Sequence, residues 1–557
     1  MRRHGDGLPG LIPLLAALAV LAAFSARLSA TRVYQVDECY NVAQARRIAS
    51  GLRHEALTDP AAFIVALSGL ERGPARARDL FARGRRAMLA LFWLNLVLIA
   101  ACTGERVASR RGLLVLLAAA CLAPLWDYGL EIRHDNLLLT GLLLTWYVLR
   151  VRPGGRRAYF AAGALAALLQ FVAFKAFVYT LPLSAAFLLF VPPGHRAPRR
   201  ALFFSWAAGV VLALAFGRAV YGALGLWPAY LADASFMSAA SAHVTRLPPL
   251  EAFVRFFIES PLLLAVFGAA LFAAVHELRR DKISTALWDG FVPEAALAAA
   301  ALAALLVNPR AYAYNLLNLM PFAFLAAYRY LSRSAAALRE RPELAWSLAL
   351  LLYALPFAAA VVWESVWTNA RQTRVMDAAE ALTGPDDPVY DGVGLVPTRP
   401  SVGERWLLDT LNIRAFVDGS AAPAREELAR NPPAVVLPNY RTDWLPLVDR
   451  AFIAEHYVPL SDDFWTLGAD LPPGGGSFDV LRAGRYTVAG LNGAGPPAGA
   501  RLDGAPFSGG AAALALGRHR LRVAANVRAA VVWTGPRLDA PPRLTPRDHR
   551  LLFVDWY

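Results

Sequence analysis

The feature that most constrains this chain is a series of apolar blocks, each about as long as a bilayer is thick. They fall at 8–30, 87–104, 112–129, 136–150, 158–173, 176–191, 201–221, 261–278, 290–307, 316–331 and 343–366. A spanning helix needs about 20 apolar residues, and fewer where loops dip inward. The pattern therefore predicts a mostly α-helical polytopic membrane protein with about eleven spans. Composition follows the same division. The chain is 57% hydrophobic and 18% charged, whereas soluble domains lie nearer half and a quarter. The apolar excess sits between Leu8 and Trp367. Met1-Arg2-Arg3 followed by the run from Leu8 to Ala30 is read as an uncleaved anchor helix. Its apolar stretch is long for a signal peptide, and no small-x-small cleavage site follows.

The formal charge of +14 looks at first like a nucleic-acid signature. Its placement argues against nucleic acid, because the arginines cluster in short gaps between apolar blocks, where cytoplasmic anchors belong. With the N-terminus inside, the cytoplasmic pieces hold 19 Lys and Arg residues. The short external turns hold only Arg133, Lys175 and Arg310. That bias predicts an N-in, C-out topology with an odd number of spans. Two external loops are long, 31–86 and 222–260, and the first carries ten arginines. Anionic lipid headgroups suit such a loop, as specific ligands or as ordinary membrane lipids. Only Lys175 and Lys282 are lysines. Arginine-for-lysine usage on this scale points to a GC-rich bacterial genome, and so to the bacterial cytoplasmic membrane. Of the three cysteines, Cys102 and Cys121 fall inside apolar blocks and only Cys39 lies outside, so no disulfide framework is available.

After Asn369 the pattern changes. The expected domains are a membrane domain at 1–368, an external α/β domain at 369–473 and an external β-sandwich-like domain at 474–557. Val389–Val393 and Pro433–Asn439 read as strands, and Ala424–Arg430 as a helix. Gly474-Gly475-Gly476 reads as a flexible joint. Beyond it, alternating runs are separated by Gly, Pro and Asn, the pattern of a small β-sandwich. Gly484-Arg485-Tyr486 and Gly517-Arg518-His519 each open such a run.

Five polar motifs fall in the gaps assigned outside. Val36-Asp37-Glu38-Cys39-Tyr40 places adjacent carboxylates just after the first span, which is costly unless they are hydrated, paired or functional. The simpler reading is that Asp37 caps the following helix. Glu131-Ile132-Arg133-His134-Asp135-Asn136 packs four charged or titratable groups into a short turn. Glu131 and Asp135 would share a helical face, with a cap as the alternative. Lys175 is a lysine in a chain that otherwise uses arginine, and a compact ammonium suits a phosphate. Asn308 to Asn315 brings Arg310, Tyr312 and Tyr314 to the same interface, as a site or as an aromatic belt. His243 and Arg246 lie in the second long loop. No zinc spacing, phosphate-binding glycine loop or serine-nucleophile elbow is present.

The order of these motifs resembles that of the C-type glycosyltransferases: the early Asp37-Glu38 with a helix after it, Arg133-His134-Asp135, Lys175, and then Arg310 with tyrosines before a span containing Pro321. These are multi-spanning enzymes that use polyprenyl-phosphate sugars. The nearest branch holds protein O-mannosyltransferases and the lipid A aminoarabinose transferase. The resemblance covers roughly 8–331 as an architecture. It implies inverting transfer of a hexosyl or pentosyl group to a cell-envelope glycan, lipid or protein. Asp37 would be the general base with Glu38 beside it, and Lys175, Arg310 and Arg133 would steady the donor phosphate. Asp135 and Glu131 would orient the acceptor or the base, or bind a divalent metal as in some relatives. His243, Arg246 and Tyr312 would contact donor or acceptor. Two departures stand out. The segment 55–86 lacks the proline-rich or histidine-containing stretch of many relatives, and Ala176 stands where relatives often have glycine. The competing readings are a non-catalytic polyprenyl-lipid-binding or transport protein, and a polymerase or ligase using a pyrophosphate-linked donor.

Overall fold

The computed structural model describes residues 11–51, 62–151, 155–189, 197–232, 234–235, 254, 258, 260–280, 292–307, 313–334, 358, 361–362, 365–403, 406–490, 496–542, 544 and 552–553. The chain forms two compact units. One comprises Met1–Arg32, Arg53–Ala66 and Arg85–Trp367, and the other Val33–Leu52, Leu67–Gly84 and Thr368–Tyr557. Two pieces of the first long loop thus fold with the C-terminal region.

The first unit is helical. Its main helices are α1 (Ile12–Thr31), most of α4 (Ala77–Cys102), α5 (Arg110–Ala119), α6 (Ala123–Asp127), α7 (His134–Trp146), α8 (Gly155–Leu168), α9 (Ala176–Leu189), α10 (Arg199–Ala223), α11 (Pro261–Arg280), α12 (Val292–Val307) and α13 (Leu316–Ser334). Two shorter helices precede α4 in the chain, α2 (Val36–Ala49) in the second unit and α3 (Ala62–Ser68). Each apolar block up to residue 331 is therefore largely helical. The block at 343–366 lies almost wholly outside the described residues. The block at 112–129 breaks into α5 and α6, because Pro124 suits a helix's first turn and not its interior. Proline inside α9 and α13, Pro182 and Pro321, is tolerated as in other membrane helices.

Among the described residues, α1, α4 and α10 are long and apolar enough to cross a membrane. α10 exposes Phe203, Phe204, Val211, Leu212 and Phe216, an apolar face that suits lipid better than water. Lipid gives little hydrophobic drive for helix pairing, so close packing of small residues takes over. α8 and α10 meet in this way. A Cβ on Gly163 would lie 2.1 Å from the Trp206 carbonyl oxygen, and one on Gly209 would lie 2.1 Å from that of Phe160.

Charged helix ends gather into two sets. In one, Glu294 at the start of α12 is fully buried, with Oε1 3.2 Å from Arg150 Nε and 3.0 Å from Arg329 Nε. Tyr328 donates to Glu105 at 2.8 Å nearby in the chain of α13. These residues come from four gaps and helix ends that charge bias assigns to a single side. A carboxylate between two guanidiniums is stable when buried only with such pairing. The other set forms the candidate site.

The second unit carries a seven-stranded sheet in the order β1 (Val389–Tyr390), β2 (Val435–Val436), β4 (Phe464–Leu471), β11 (Ala529–Trp533), β6 (Gly484–Gly490) and β9 (Ala512–Leu514), with β3 (Tyr457–Ser461) also on β4. β1 and β2 are parallel, and the other pairs are antiparallel. β11 is buried along its whole length, as expected of a central strand. In register, Val531 lies opposite both Ala469 and Val488. A four-stranded sheet has the order β5 (Gly475–Val480), β10 (Gly517–Arg522), β7 (Arg501–Leu502) and β8 (Ala505–Pro506). Gly475 and Gly476 open β5, and the pairing of β4 with β11 joins the regions before and after residue 474 in a single sheet. Helices α14 (Ala370–Leu382), α15 (Thr410–Val417), α16 (Arg425–Arg430) and α17 (Leu447–His456) complete this unit.

Candidate functional site

In the first unit, five charged side chains form a chain of alternating sign. It begins with Arg32, just past the end of α1. Arg32 donates to the carbonyls of Trp126 at 2.9 Å and Asp127 at 2.5 Å, and its Nη2 lies 3.5 Å from Glu131 Oε1. Glu131 Oε2 is 3.5 Å from Arg133 Nη1, and Arg133 Nε is 3.4 Å from Asp135 Oδ2. Asp135 Oδ1 is in turn 2.6 Å from Lys175 Nζ. Lys175 also donates to Asn315 Oδ1 at 2.9 Å, and Asn318 donates to Asp135 Oδ1 at 3.4 Å. His134 Nε2 lies 3.8 Å from Asp135 Oδ2.

Local sequence explains these positions. α7 starts at His134, so Asp135 sits in the first turn, where the helix dipole favours a carboxylate. Lys175 immediately precedes α9, where the dipole disfavours a cation, and the contact with Asp135 compensates. Tyr314 stacks under both cations, with its ring centroid 4.1 Å from Arg133 Cζ and 4.6 Å from Lys175 Nζ. Asp135 and Glu131 are almost fully enclosed, whereas the Lys175 side chain is 23% exposed. The set thus holds three cations against two carboxylates, and its accessible end is an ammonium. Such an arrangement can bind an anion. Neither carboxylate is placed to take a proton without breaking an ion pair.

Four of the residues expected from the sequence, Glu131, Arg133, Asp135 and Lys175, are therefore gathered here. Arg32, Asn315 and Asn318 join them without having been singled out. Arg310, Tyr312, His243 and Arg246 lie outside the described residues. Among the described residues, no group of three or more His, Cys, Asp and Glu side chains could hold a metal ion. Glu131 and Asp135 are both engaged with cations, so among the described residues this set does not fit a divalent ion.

Asp37 and Glu38 belong to the second unit, on α2. Their roles separate there. The helix is capped by Gln35, whose side chain accepts from the Glu38 backbone, while the Gln35 backbone donates to Glu38 Oε2 at 3.0 Å. This reciprocal capping box leaves Glu38 fully buried. Asp37, at the second helical position, is exposed and is not the cap. In the same unit Glu71 is fully buried, and burial pushes its carboxyl up to about 7 despite the opposing charges of Arg83 and Arg46. Arg46 donates to the carbonyls of Glu71 and Gly73, and Arg83 to those of Leu70 and Arg72.

No family model and no curated protein matches the sequence. Among solved structures, ArnT from Cupriavidus metallidurans in the apo state aligns with a TM-score of 0.53 at 13% identity, covering 78% of this chain and 94% of that one. ArnT bound to undecaprenyl phosphate aligns at 0.47 with 14% identity, over 78% and 94% of the two chains. The apo oligosaccharyltransferase of Archaeoglobus fulgidus aligns at 0.42 with 11% identity, over 90% of this chain and 76% of that one. The likeness to apo ArnT shows that this chain has the C-type glycosyltransferase fold.

Proposed function

We propose, from the C-type glycosyltransferase fold as premise, that this chain is a membrane glycosyltransferase taking a sugar from a polyprenyl-phosphate donor and passing it to a cell-envelope glycan, lipid or protein. The observation that carries the reading is the alternating charge chain that ends in a partly exposed Lys175. A lipid phosphate is a leaving group whose charge grows as the glycosidic bond breaks. Cations fixed beforehand stabilise that charge without reorganising. Lys175 contributes a point charge and Arg133 adds to the field, while Asp135, Glu131, Asn315 and Asn318 hold the two cations in place.

Asp37 is the general base in this reading. It accepts the proton of the acceptor hydroxyl as that oxygen attacks the anomeric carbon. The carbon–oxygen bond to phosphate breaks on the opposite face, and the configuration inverts. Its exposure in the first turn of α2 supports this role. The wider reading has about eleven spans, the N-terminus inside and the second unit on the non-cytoplasmic face of a bacterial cytoplasmic membrane.

The test is turnover of a panel of polyprenyl-phosphate hexoses and pentoses by purified protein in lipid, with cell-envelope extract as acceptor. Turnover of one donor with inversion at the anomeric carbon is expected. Retention of configuration would rule out direct displacement, and no turnover of any donor by well-folded protein would overturn the transferase reading.

A further inference from the structure

We infer that Gln372, together with the Asp391–Val396 loop, is the positioning element that aims Asp37, so that the C-terminal unit is part of the catalytic apparatus. The inference rests on the reading of Asp37 as general base. It starts from a fact of chain organisation: Val33–Leu52, which carries Asp37, folds with Thr368–Tyr557.

At least two attachments tie this segment to Thr368–Tyr557. The first is at Tyr34, three residues before Asp37. The Tyr34 backbone N–H donates to Gln372 Oε1 at 2.7 Å, and Gln372 Nε2 donates back to the Tyr34 carbonyl at 2.9 Å. Gln372 is 1% exposed and Tyr34 is 4% exposed. A side-chain amide paired with a backbone amide in both directions fixes position and orientation together. Only glutamine has both the reach and the two complementary groups. The Tyr34 ring packs on Phe81 with centroids 4.4 Å apart, which closes the other side. The next residue, Gln35, is the cap of α2 and is locked to Glu38 by the capping box. Gln372 is therefore linked through Tyr34 and the capped Gln35 to the turn bearing Asp37.

The second attachment lies along α2. The buried Asp391 carboxylate accepts from the backbone N–H groups of Val393, Gly394, Leu395 and Val396, at 2.8, 2.6, 2.7 and 3.3 Å. This winds the chain so that Gly394, at φ +81°, lies against α2. A Cβ there would come within 2.7 Å of Ala43 Cβ and 3.3 Å of the Cys39 carbonyl oxygen. Arg47, near the end of α2, stacks on Trp406 of the same unit at 5.5 Å. One contact fixes where α2 begins and the others fix its axis. A general base must be held within a fraction of an ångström and a few tens of degrees, and supporting contacts of this kind are what provide that. Nothing in such a design requires the C-terminal unit to touch the acceptor.

The experiment compares wild type with Gln372→Ala and Gln372→Glu in lipid, measuring kcat, donor affinity and hydrogen–deuterium exchange of the amides at 34–40. For Gln372→Ala the expected result is a loss of kcat on the order of 100-fold, the scale of an ångström misplacement. Donor affinity stays unchanged, and exchange at 34–40 is faster. Gln372→Glu can still accept from Tyr34, but it donates back only when protonated. Its activity should therefore recover as pH falls, relative to wild type at each pH. A merely structural role would instead lower donor affinity and kcat together. Wild-type kcat in Gln372→Ala, or wild-type exchange at 34–40, would overturn the inference. If the wild type turns over no donor, the Asp37 reading fails while the exchange measurement still decides whether Gln372 holds this segment.

Discussion

Replacing Lys175 by alanine should weaken both folding and donor binding, and a second substitution separates the two. The substitution removes a 2.6 Å ion pair to Asp135 and a 2.9 Å hydrogen bond to Asn315. Breaking a fully buried pair by deleting one partner costs about 3–5 kcal/mol, because the other charge is stranded. Here Asp135 keeps Arg133 and Asn318, each at 3.4 Å, and Lys175 was itself 23% exposed. The stability loss should therefore be smaller, roughly 1–3 kcal/mol. A charge-assisted contact to a phosphate contributes on a similar scale, so donor affinity should fall about 10- to 100-fold. The two effects part company in the double variant Lys175→Ala/Asp135→Asn. Neutralising Asp135 removes the stranded charge and restores most of the stability, but it does not return the ammonium. Titration of undecaprenyl phosphate into purified protein in lipid, alongside thermal unfolding, reads both quantities. Unchanged affinity in Lys175→Ala would refute the phosphate role. Recovery of affinity together with stability in the double variant would show that the single variant had acted by distortion.

Other consequences follow from α2 and its surroundings. Glu38→Ala removes one half of the capping box and should cost roughly 1 kcal/mol of stability, whereas Glu38→Gln preserves the box and should not; equal melting temperatures for both variants would contradict the capping role. Glu71 supplies a pH dependence. Its folded-state value, about 7, lies above its ordinary 4.5, so between these pH values the folded chain holds a proton that the unfolded chain releases. This group's contribution to stability therefore falls as pH rises through that window, by up to roughly 3 kcal/mol. Glu71→Gln should match wild type near pH 4.5 and exceed it above pH 7. Parallel melting curves across that range would show that the carboxyl does not titrate there.

Much of the fold was legible in the sequence, because bilayer-length apolar blocks and alternating strands are strong patterns. Gly484 and Gly517 open β6 and β10, as the two similar turns indicated. Val389 and Val435 lie in strands as well, although these are only two residues long. Lys175 stood out by rarity, and the Glu131–Asp135 turn by charge density. Arg32 was hidden because an arginine at the end of a span reads as an anchor. Asn315 and Asn318 were hidden because a neutral polar residue barely disturbs an apolar run, although their spacing of three places them on one helical face. Glu294 could have been found as an ionisable group at the start of an apolar block. Gln372 was beyond reach, since its partner is a backbone 338 residues away. The capping reading of Asp37 went astray by two residues: Gln35 takes the cap and Glu38 completes it, which sequence preferences for Asp at such positions would not favour.

If this chain moves a sugar from a lipid phosphate with Asp37 as the base, transfer depends on the Asp37 carboxylate. The most direct measurement is transfer by wild type and by Asp37→Asn, purified in lipid with the same polyprenyl-phosphate sugar and acceptor extract, with donor binding and melting temperature recorded for both. Turnover in wild type and its loss in the variant are expected, with binding and melting unchanged. Equal turnover in the two proteins would remove Asp37 from the chemistry.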